Sequence, residues 1–103
     1  MPGVPDVLLT DSTGRFQLIE LKNCSNKSVK LSPHQVSFLS SHSHSLVWIL
    51  VRHTPISAPD QYYLYRGDQA PEVSKKGLRV EAHLTDFNLE PILKLIDSYS
   101  KNI

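Results

Sequence analysis

Two short apolar segments joined by a polar turn constrain the fold of this chain more than any other feature. Residues 7–9 are apolar, and so is most of the segment 16–21. Residues 11–15 between them, Asp-Ser-Thr-Gly-Arg, are typical of a tight turn. The pattern predicts two antiparallel strands in a hairpin. If Thr10 pairs with Phe16, the same register places Asp6 directly across from Glu20.

That register puts two acids and a lysine on one face of the hairpin. Because strand side chains alternate, Glu20 and Lys22 point to the same side. Facing side chains have Cβ atoms about 5 Å apart, so the carboxylates of Asp6 and Glu20 repel each other. A hard divalent cation removes this repulsion, and Mg²⁺ prefers one or two carboxylates with waters and phosphate oxygens. Asp6, Glu20 and the backbone carbonyl of Leu21 are therefore candidate ligands for Mg²⁺.

Lys22 would then lie within reach of an attacking water or a scissile phosphate. The alternative is an ordinary solvated pair of Glu20 and Lys22 on an edge strand, since alternating charges are common on exposed strands. The metal site is favoured because the strand that carries these charges is otherwise apolar and because a proline precedes Asp6.

The segment after the hairpin predicts a helix and a buried strand. Ser32 and Pro33 are typical of a helix start, and Gln35 falls in the first turn. The apolar residues 46–51 predict a central strand that is buried on both faces. A right-handed crossover would make this strand parallel to the one that carries Glu20.

The second half of the chain carries weaker patterns. Residues 54–59 predict a loop, and residues 61–66 a strand whose tyrosines are expected to pack in the core rather than stack on bases. Residues 67–77 predict one short helical turn, residues 78–84 a further strand, and residues 88–99 an amphipathic helix that closes the core or forms a dimer face. A length of 103 residues suits a single α/β domain, residues 1–103, with one modest core.

Charge is distributed unevenly along the chain. The net charge is only +1, yet no acid occurs between Leu21 and Pro59. The candidate DNA-binding residues in that stretch are Lys27, Lys30, His34 and Arg52. A positive segment beside metal-binding carboxylates suits a phosphodiester substrate, and a solvated loop with chance charge is the alternative.

Several other classes of site find no support in the sequence. Cys24 is the only cysteine, so an intramolecular disulfide is excluded. His42 and His44, with Cys24 or His34, match no compact zinc-finger spacing. A nucleophile elbow and a phosphate-binding glycine loop are both missing. The longest apolar run, residues 46–51, is too short to span a bilayer and no leader is visible, so we expect a soluble, intracellular protein.

The motif residues resemble the PD-(D/E)XK nucleases, and within them the small VRR-NUC type associated with phages and DNA repair. The matching segments are Pro5-Asp6, Glu20-Leu21-Lys22 and Leu31-Ser-Pro-His-Gln35, within residues 3–53. The resemblance implies a restriction-endonuclease-like core, with a mixed central sheet flanked by helices. It also implies that Asp6 and Glu20 bind Mg²⁺ or Mn²⁺, that Lys22 assists the water and that Gln35 supports the site.

The expected function is therefore a metal-dependent, structure-selective endodeoxyribonuclease. Branched DNA of the Holliday-junction type is a candidate substrate, and the cytoplasm of a bacterium or phage-infected cell is the expected location. Family members usually carry a helix, often with another acid, before the first strand, whereas residues 1–4 alone precede Pro5 here. We therefore expect a homodimer. The alternative is a nuclease-like module that binds DNA or a protein with weak or no catalysis; residues 54–103 lie outside the resemblance.

Overall fold

A five-stranded sheet organises this protein in the computed structural model. The structure describes residues 6–10, 12–42 and 46–99, with only the backbone of Leu8. Pro5, Asp11 and His44, which the sequence predictions use, lie outside the described residues. The strands are β1 (Val7–Thr10), β2 (Phe16–Cys24), β3 (Val47–His53), β4 (Gln61–Arg66) and β5 (Leu84–Asp86), and the helices are α1 (Pro33–Ser41), α2 (Ala70–Lys76) and α3 (Leu89–Tyr99).

The strands lie across the sheet in chain order, from β1 to β5. β1 and β2 are antiparallel with Thr10 opposite Phe16, so the predicted hairpin register is confirmed. β2 and β3 are parallel, as predicted, because α1 connects them across one face. β4 and β5 add antiparallel strands at the other side. The predicted α/β class, with a mixed central sheet flanked by helices, is confirmed.

Helices cover both faces of the sheet because β3 is apolar on both sides. Val47, Ile49 and Val51 pack with α1 and α2 in one core. Trp48 and Leu50 point the other way and pack against α3 in a second core. The first five residues of β3 are buried, which explains its unbroken apolar run and confirms the predicted central strand.

A buried polar side chain, Gln17, lies in the second core with both ends of its amide satisfied. Its Nε2 donates to the Ile96 carbonyl at 2.6 Å, and its Oε1 accepts from Trp48 Nε1 at 2.6 Å. These two bonds join β2, β3 and α3. Gln17 therefore has a structural role, because an unpaired amide buried at this point would be costly.

The predicted strand over residues 78–84 is wrong. Gly77–Arg79 forms a 3₁₀ turn after α2, and pairing with β4 begins only at Leu84. The cause lies in the backbone: the Leu78 amide donates to the Lys27 carbonyl at 2.8 Å, and the Val80 amide donates to the Gly77 carbonyl at 3.2 Å. Backbone donors used in this way are not free for a sheet ladder.

Gly77 is the residue that permits this close approach. It has φ +61°, and a Cβ atom at this position would overlap the Lys27 carbonyl oxygen. Gly14 also has a positive φ, +81°, but its Cβ would meet nothing within 4 Å. We expect Gly14→Ala to lower the free energy of unfolding by about 1 kcal/mol through backbone strain alone. Gly77→Ala should lower it by about 2 kcal/mol or more, because strain and steric overlap combine.

Urea denaturation of the two variants beside the parent protein measures both values. The Gly14→Ala variant is the matched control, since it changes the same residue type at the same sign of φ. An equal decrease in the free energy of unfolding in the two variants would show that the contact of Gly77 with the β2–α1 loop does not contribute to stability.

Candidate functional site

The hairpin register brings Asp6 beside the middle of β2. Asp6 immediately precedes β1, and its Oδ2 accepts a hydrogen bond from the Leu21 amide at 3.2 Å. Its carboxyl also lies within hydrogen-bonding reach of the Glu20 carboxyl. The predicted pairing of Asp6 and Glu20 therefore exists as a contact. Two carboxyl groups in such contact need a shared proton or a cation between them.

Glu20 and Lys22 share the face of β2 that is covered by α1, as strand alternation predicts. Their neighbours on β3, Ile49 and Val51, belong to the core between the sheet and α1 with α2. Lys22 Nζ lies 3.8 Å from Glu20 Oε2, and its side chain is 23 % exposed. The lysine therefore connects a buried carboxylate with the surface.

Gln35 joins these two side chains through its amide group. Its Nε2 donates to Glu20 Oε2 at 3.1 Å, and its Oε1 accepts from Lys22 Nζ at 3.2 Å. The same oxygen accepts from the Ser32 amide at 2.9 Å. Two donors face Oε1 and an acceptor faces Nε2, so the orientation of the amide is determined by its partners.

The start of α1 holds Gln35 in this position. Ser32 is the N-cap, and its Oγ accepts a hydrogen bond from the Gln35 amide at 3.1 Å. Together with the reverse bond from the Ser32 amide this forms a capping box, and Pro33 occupies the first turn. The predicted helix start is confirmed. The sequence Ser-Pro-His-Gln therefore has two structural roles: it caps the helix, and it directs the Gln35 amide toward the sheet.

Glu20 has the most perturbed environment of the four residues. It is 1 % exposed, and its Oε1 has no hydrogen-bond donor among the described residues. Burial, and after it the Asp6 carboxyl, raises the pKa of Glu20 from 4.5 to about 7, while Lys22 opposes the shift. The contact with Asp6 is a hydrogen bond only when one of the two carboxyls is protonated. Glu20 therefore carries charge at neutral pH only against a considerable desolvation penalty.

The donor set fits a hard divalent cation better than a structural zinc. Among residues 6–10, 12–42 and 46–99 no group of three or more histidine, cysteine or acidic side chains converges. A structural zinc site needs four such ligands, whereas Mg²⁺ accepts two carboxylates and fills its shell with backbone oxygens, water and phosphate. The unsatisfied Oε1 of Glu20, next to Asp6, is the atom that such an ion would satisfy. The carbonyl of Leu21 stays a prediction as a further ligand.

Four basic or histidine side chains were predicted to contact DNA. Lys27 and Lys30 are exposed in the loop between β2 and α1, and His34 is exposed in the first turn of α1. Arg52 differs, because its guanidinium forms an ion pair with Asp60 at 2.7 Å. A cavity of about 440 Å³ runs from Lys22 past the loop to Lys30. Lys30 therefore shares a surface depression with Lys22, and Arg52 shares another, of about 190 Å³, with the same lysine.

Sequence reasoning missed a second basic group at the same loop. Lys75, Lys76 and Arg79 line a cavity of about 330 Å³ together with Lys27. The signal in the sequence was the run Lys-Lys-Gly-Leu-Arg at 75–79. Nothing in that run reveals which loop it meets, because the contact depends on the backbone bond between Leu78 and Lys27.

We expect Gln35→Ala to lower the free energy of unfolding by about 2 kcal/mol, because it removes half of the capping box and the donor to buried Glu20. His34→Ala is the matched control on the same turn, since His34 is exposed. Thermal or chemical denaturation measures both changes. Equal stability of the two variants would contradict a supporting role for Gln35.

No helix within the described ranges is long and apolar enough to cross a membrane. Comparison of the chain with protein-family models, with curated proteins and with solved structures gives no match. The resemblance to a nuclease family therefore rests on the motif residues, and the assignment of a function rests on the geometry described above.

Proposed function

We propose that this protein is a metal-dependent endodeoxyribonuclease with a restriction-endonuclease-like core of the PD-(D/E)XK type. The observation that carries the proposal is the convergence of Asp6, Lys22 and Gln35 on the buried carboxylate of Glu20. A sheet can place two acids in contact by chance. Packing alone does not require a lysine and a glutamine around the same acid. Nor does it require that Oε1 of this acid lack a hydrogen-bond donor among the described residues.

Asp6 and Glu20 would hold the cation, which is Mg²⁺ or Mn²⁺. When bound, the ion would supply a water of lowered pKa and neutralise charge on the phosphate. Lys22 would place its ammonium beside the scissile phosphate and stabilise the negative charge that develops there. Gln35 is a positioning residue, since it fixes Lys22 and Glu20 relative to each other without reaching the substrate.

DNA is the proposed substrate because the surface beside the site is rich in basic side chains. Lys27 and Lys30 extend from a loop without acids, and His34 lies at the start of the adjacent helix. Backbone phosphates provide most non-specific affinity, so such a surface suits a nuclease that selects DNA by its structure. A homodimer would present two such sites to the opposed strands of branched DNA, such as a Holliday junction.

A second candidate is a nuclease-like module that binds DNA or a protein without turnover. One observation favours it: Glu20 is 1 % exposed, and Lys22 is already engaged by Gln35 and Glu20. A protonated Glu20 in this network needs no metal. Titration calorimetry separates the candidates, because a catalytic site binds Mn²⁺ in a manner that Asp6→Ala abolishes, and the binding module does not bind Mn²⁺.

The test of activity is cleavage of labelled four-way junction, flap and linear duplex DNA with Mg²⁺ or Mn²⁺, beside reactions with a chelator. Cleavage that requires metal supports the nuclease, and the relative rates rank its substrates. DNA binding without cleavage under any of these conditions favours the binding module. Light scattering at the working concentration tests the dimer, which a monomer that cuts both strands would contradict.

A further inference from the structure

A compact group of basic side chains lies beside the loop that joins β2 to α1, apart from the four residues of the proposed site. Four of the seven residues that line this cavity of about 330 Å³ are basic, and none is acidic. We call these four exposed residues the basic cradle: Lys27, Lys75, Lys76 and Arg79. The chain as a whole has a net charge of +1. The cradle is therefore a local surplus of positive charge that the rest of the surface balances.

The backbone beneath the cradle is held by hydrogen bonds. The Leu78 amide donates to the Lys27 carbonyl at 2.8 Å, which joins the loop to the segment after α2. Within the loop, the Ser28 amide donates to Asn26 Oδ1 at 2.9 Å, and Val29 is buried in the core. These backbone hydrogen bonds bring together positive charges from two distant parts of the chain. The charges repel each other, which costs stability.

The end of α2 explains only part of this arrangement. Lys75 and Lys76 lie in the last turn of α2, where cations interact favourably with the helix carbonyls. Lys27 lies in the β2–α1 loop and Arg79 in the 3₁₀ turn that follows α2, so neither belongs to that last turn. Glu72, the acid in the first turn of α2, does not line the cavity. An anionic ligand would explain why all four cations meet without an acidic partner in the lining.

The cradle adjoins the cavity beside the proposed site. Asn26 and Ser28 line both the cradle and the neighbouring cavity of about 440 Å³ that contains Lys22 and Lys30. The two cavities adjoin at these two residues, and neither lining includes an acidic residue. Successive phosphates along a DNA strand offer negative charge at regular spacing, which matches two neighbouring cavities that are each lined by cations.

We propose that the basic cradle binds a backbone phosphate of the DNA strand that lies at Lys22, and so fixes the direction of that strand across the β2–α1 loop. This inference rests on the proposed function for the identity of the ligand. Arg79 and the lysines would act by charge-assisted hydrogen bonds to phosphate oxygens, which carry no base information. The cradle would therefore increase affinity for DNA of any sequence.

The test compares two variants that each lose two positive charges. Lys75→Gln/Arg79→Gln removes half of the cradle, whereas Arg15→Gln/Lys94→Gln removes charges from the β1–β2 turn and from α3, outside both cavities. Fluorescence anisotropy measures binding of a labelled duplex of about 20 base pairs at several salt concentrations, with a chelator to prevent cleavage. Thermal melting of each variant monitors folding.

We expect the cradle variant to bind DNA about tenfold more weakly than the control variant, with a slope of log affinity against log salt that is shallower by about 1 to 2. Equal affinity and slope in the two variants would overturn the inference, as would a wild-type protein that does not bind DNA. A lower melting temperature of the cradle variant without a change of slope would also overturn it, because the two replaced side chains would then only stabilise the end of α2.

The two proposals fail separately. If the wild type cleaves DNA and both double variants bind DNA equally well, the cradle proposal is wrong and the nuclease proposal stands. If DNA binding depends on the cradle and no metal condition gives cleavage, the nuclease proposal is wrong. The cradle is then part of a DNA-binding module.

Discussion

Replacing Lys22 with methionine is expected to slow metal-dependent DNA cleavage by about 10²- to 10³-fold, the loss typical of removing one group that stabilises charge in a transition state. Methionine keeps most of the length of the side chain and removes its charge. Asp6→Asn and Glu20→Gln should abolish cleavage for another reason, since each removes a carboxylate of the proposed metal site. Calorimetry distinguishes the two causes, because Lys22→Met should still bind Mn²⁺ and the acid variants should not.

The pH of that comparison matters because Lys22 lowers the pKa of Glu20. Without the lysine the carboxylate is harder to ionise, so the variants are best compared at about pH 8.5, above the raised pKa. Lys94→Met is the control, since Lys94 is exposed on α3 and pairs with Glu90 on the same helix. Cleavage by Lys22→Met at the rate of Lys94→Met would show that Lys22 has no role in the chemistry.

The metal-free protein is expected to lose about 3 kcal/mol of stability as the pH rises from 4.5 to 7, through Glu20 alone. The pKa of Glu20 is 4.5 when the chain is unfolded and about 7 when it is folded. Between these values the unfolded chain has released a proton that the folded chain retains. The folded state is therefore favoured fully below pH 4.5, and this advantage is lost as the pH rises through 7.

The Glu20→Gln protein isolates this contribution, because glutamine has nearly the same shape and no titration. Urea denaturation at intervals from pH 4 to pH 8.5 should give a free energy of unfolding that falls more steeply for the parent than for the variant. Glu72→Gln, at an exposed position on α2, should follow the parent. Parallel curves for parent and Glu20→Gln would contradict a raised pKa in the folded state.

Manganese should reverse the effect if Asp6 and Glu20 bind it. A ligand that binds only the folded state stabilises it, and a carboxylate must be ionised to bind metal. Added Mn²⁺ should therefore raise the stability of the parent more at pH 8 than at pH 5. It should leave Glu20→Gln unchanged at both pH values. An equal effect of Mn²⁺ on both proteins would place the ion elsewhere.

Local patterns in the sequence were sufficient for the hairpin, for α1 and for the buried strand β3. Strand alternation and the register from Thr10 to Phe16 also predict the meeting of Asp6 with Glu20, because side-chain direction in a strand follows from position alone. The short helical turn predicted before Gly77 proved to be the two-turn helix α2, and the amphipathic helix at 88–99 is α3.

The features that sequence reasoning missed all depend on contacts between distant segments. The amide of Leu78 bonds to the Lys27 carbonyl, which turns a predicted strand into a 3₁₀ turn. The same contact assembles the basic cradle by bringing Lys27 beside three basic residues that follow it by 48 to 52 positions. The role of Gln35 was expected only from the family resemblance, since a capping pattern gives the start of a helix but not the sheet residue that the helix faces.

A single oxygen atom, Oε1 of Gln35, belongs both to the cap of α1 and to the charged group on β2. The first turn of α1 and the pair Glu20 with Lys22 therefore form one cooperative unit. If that turn opens, the carboxylate loses its donor and the ammonium loses its acceptor in the same event. A change of charge at Glu20 would therefore alter the stability of the first turn of α1. Protonation, metal binding and local order of the polypeptide are thermodynamically linked through the side chain of Gln35.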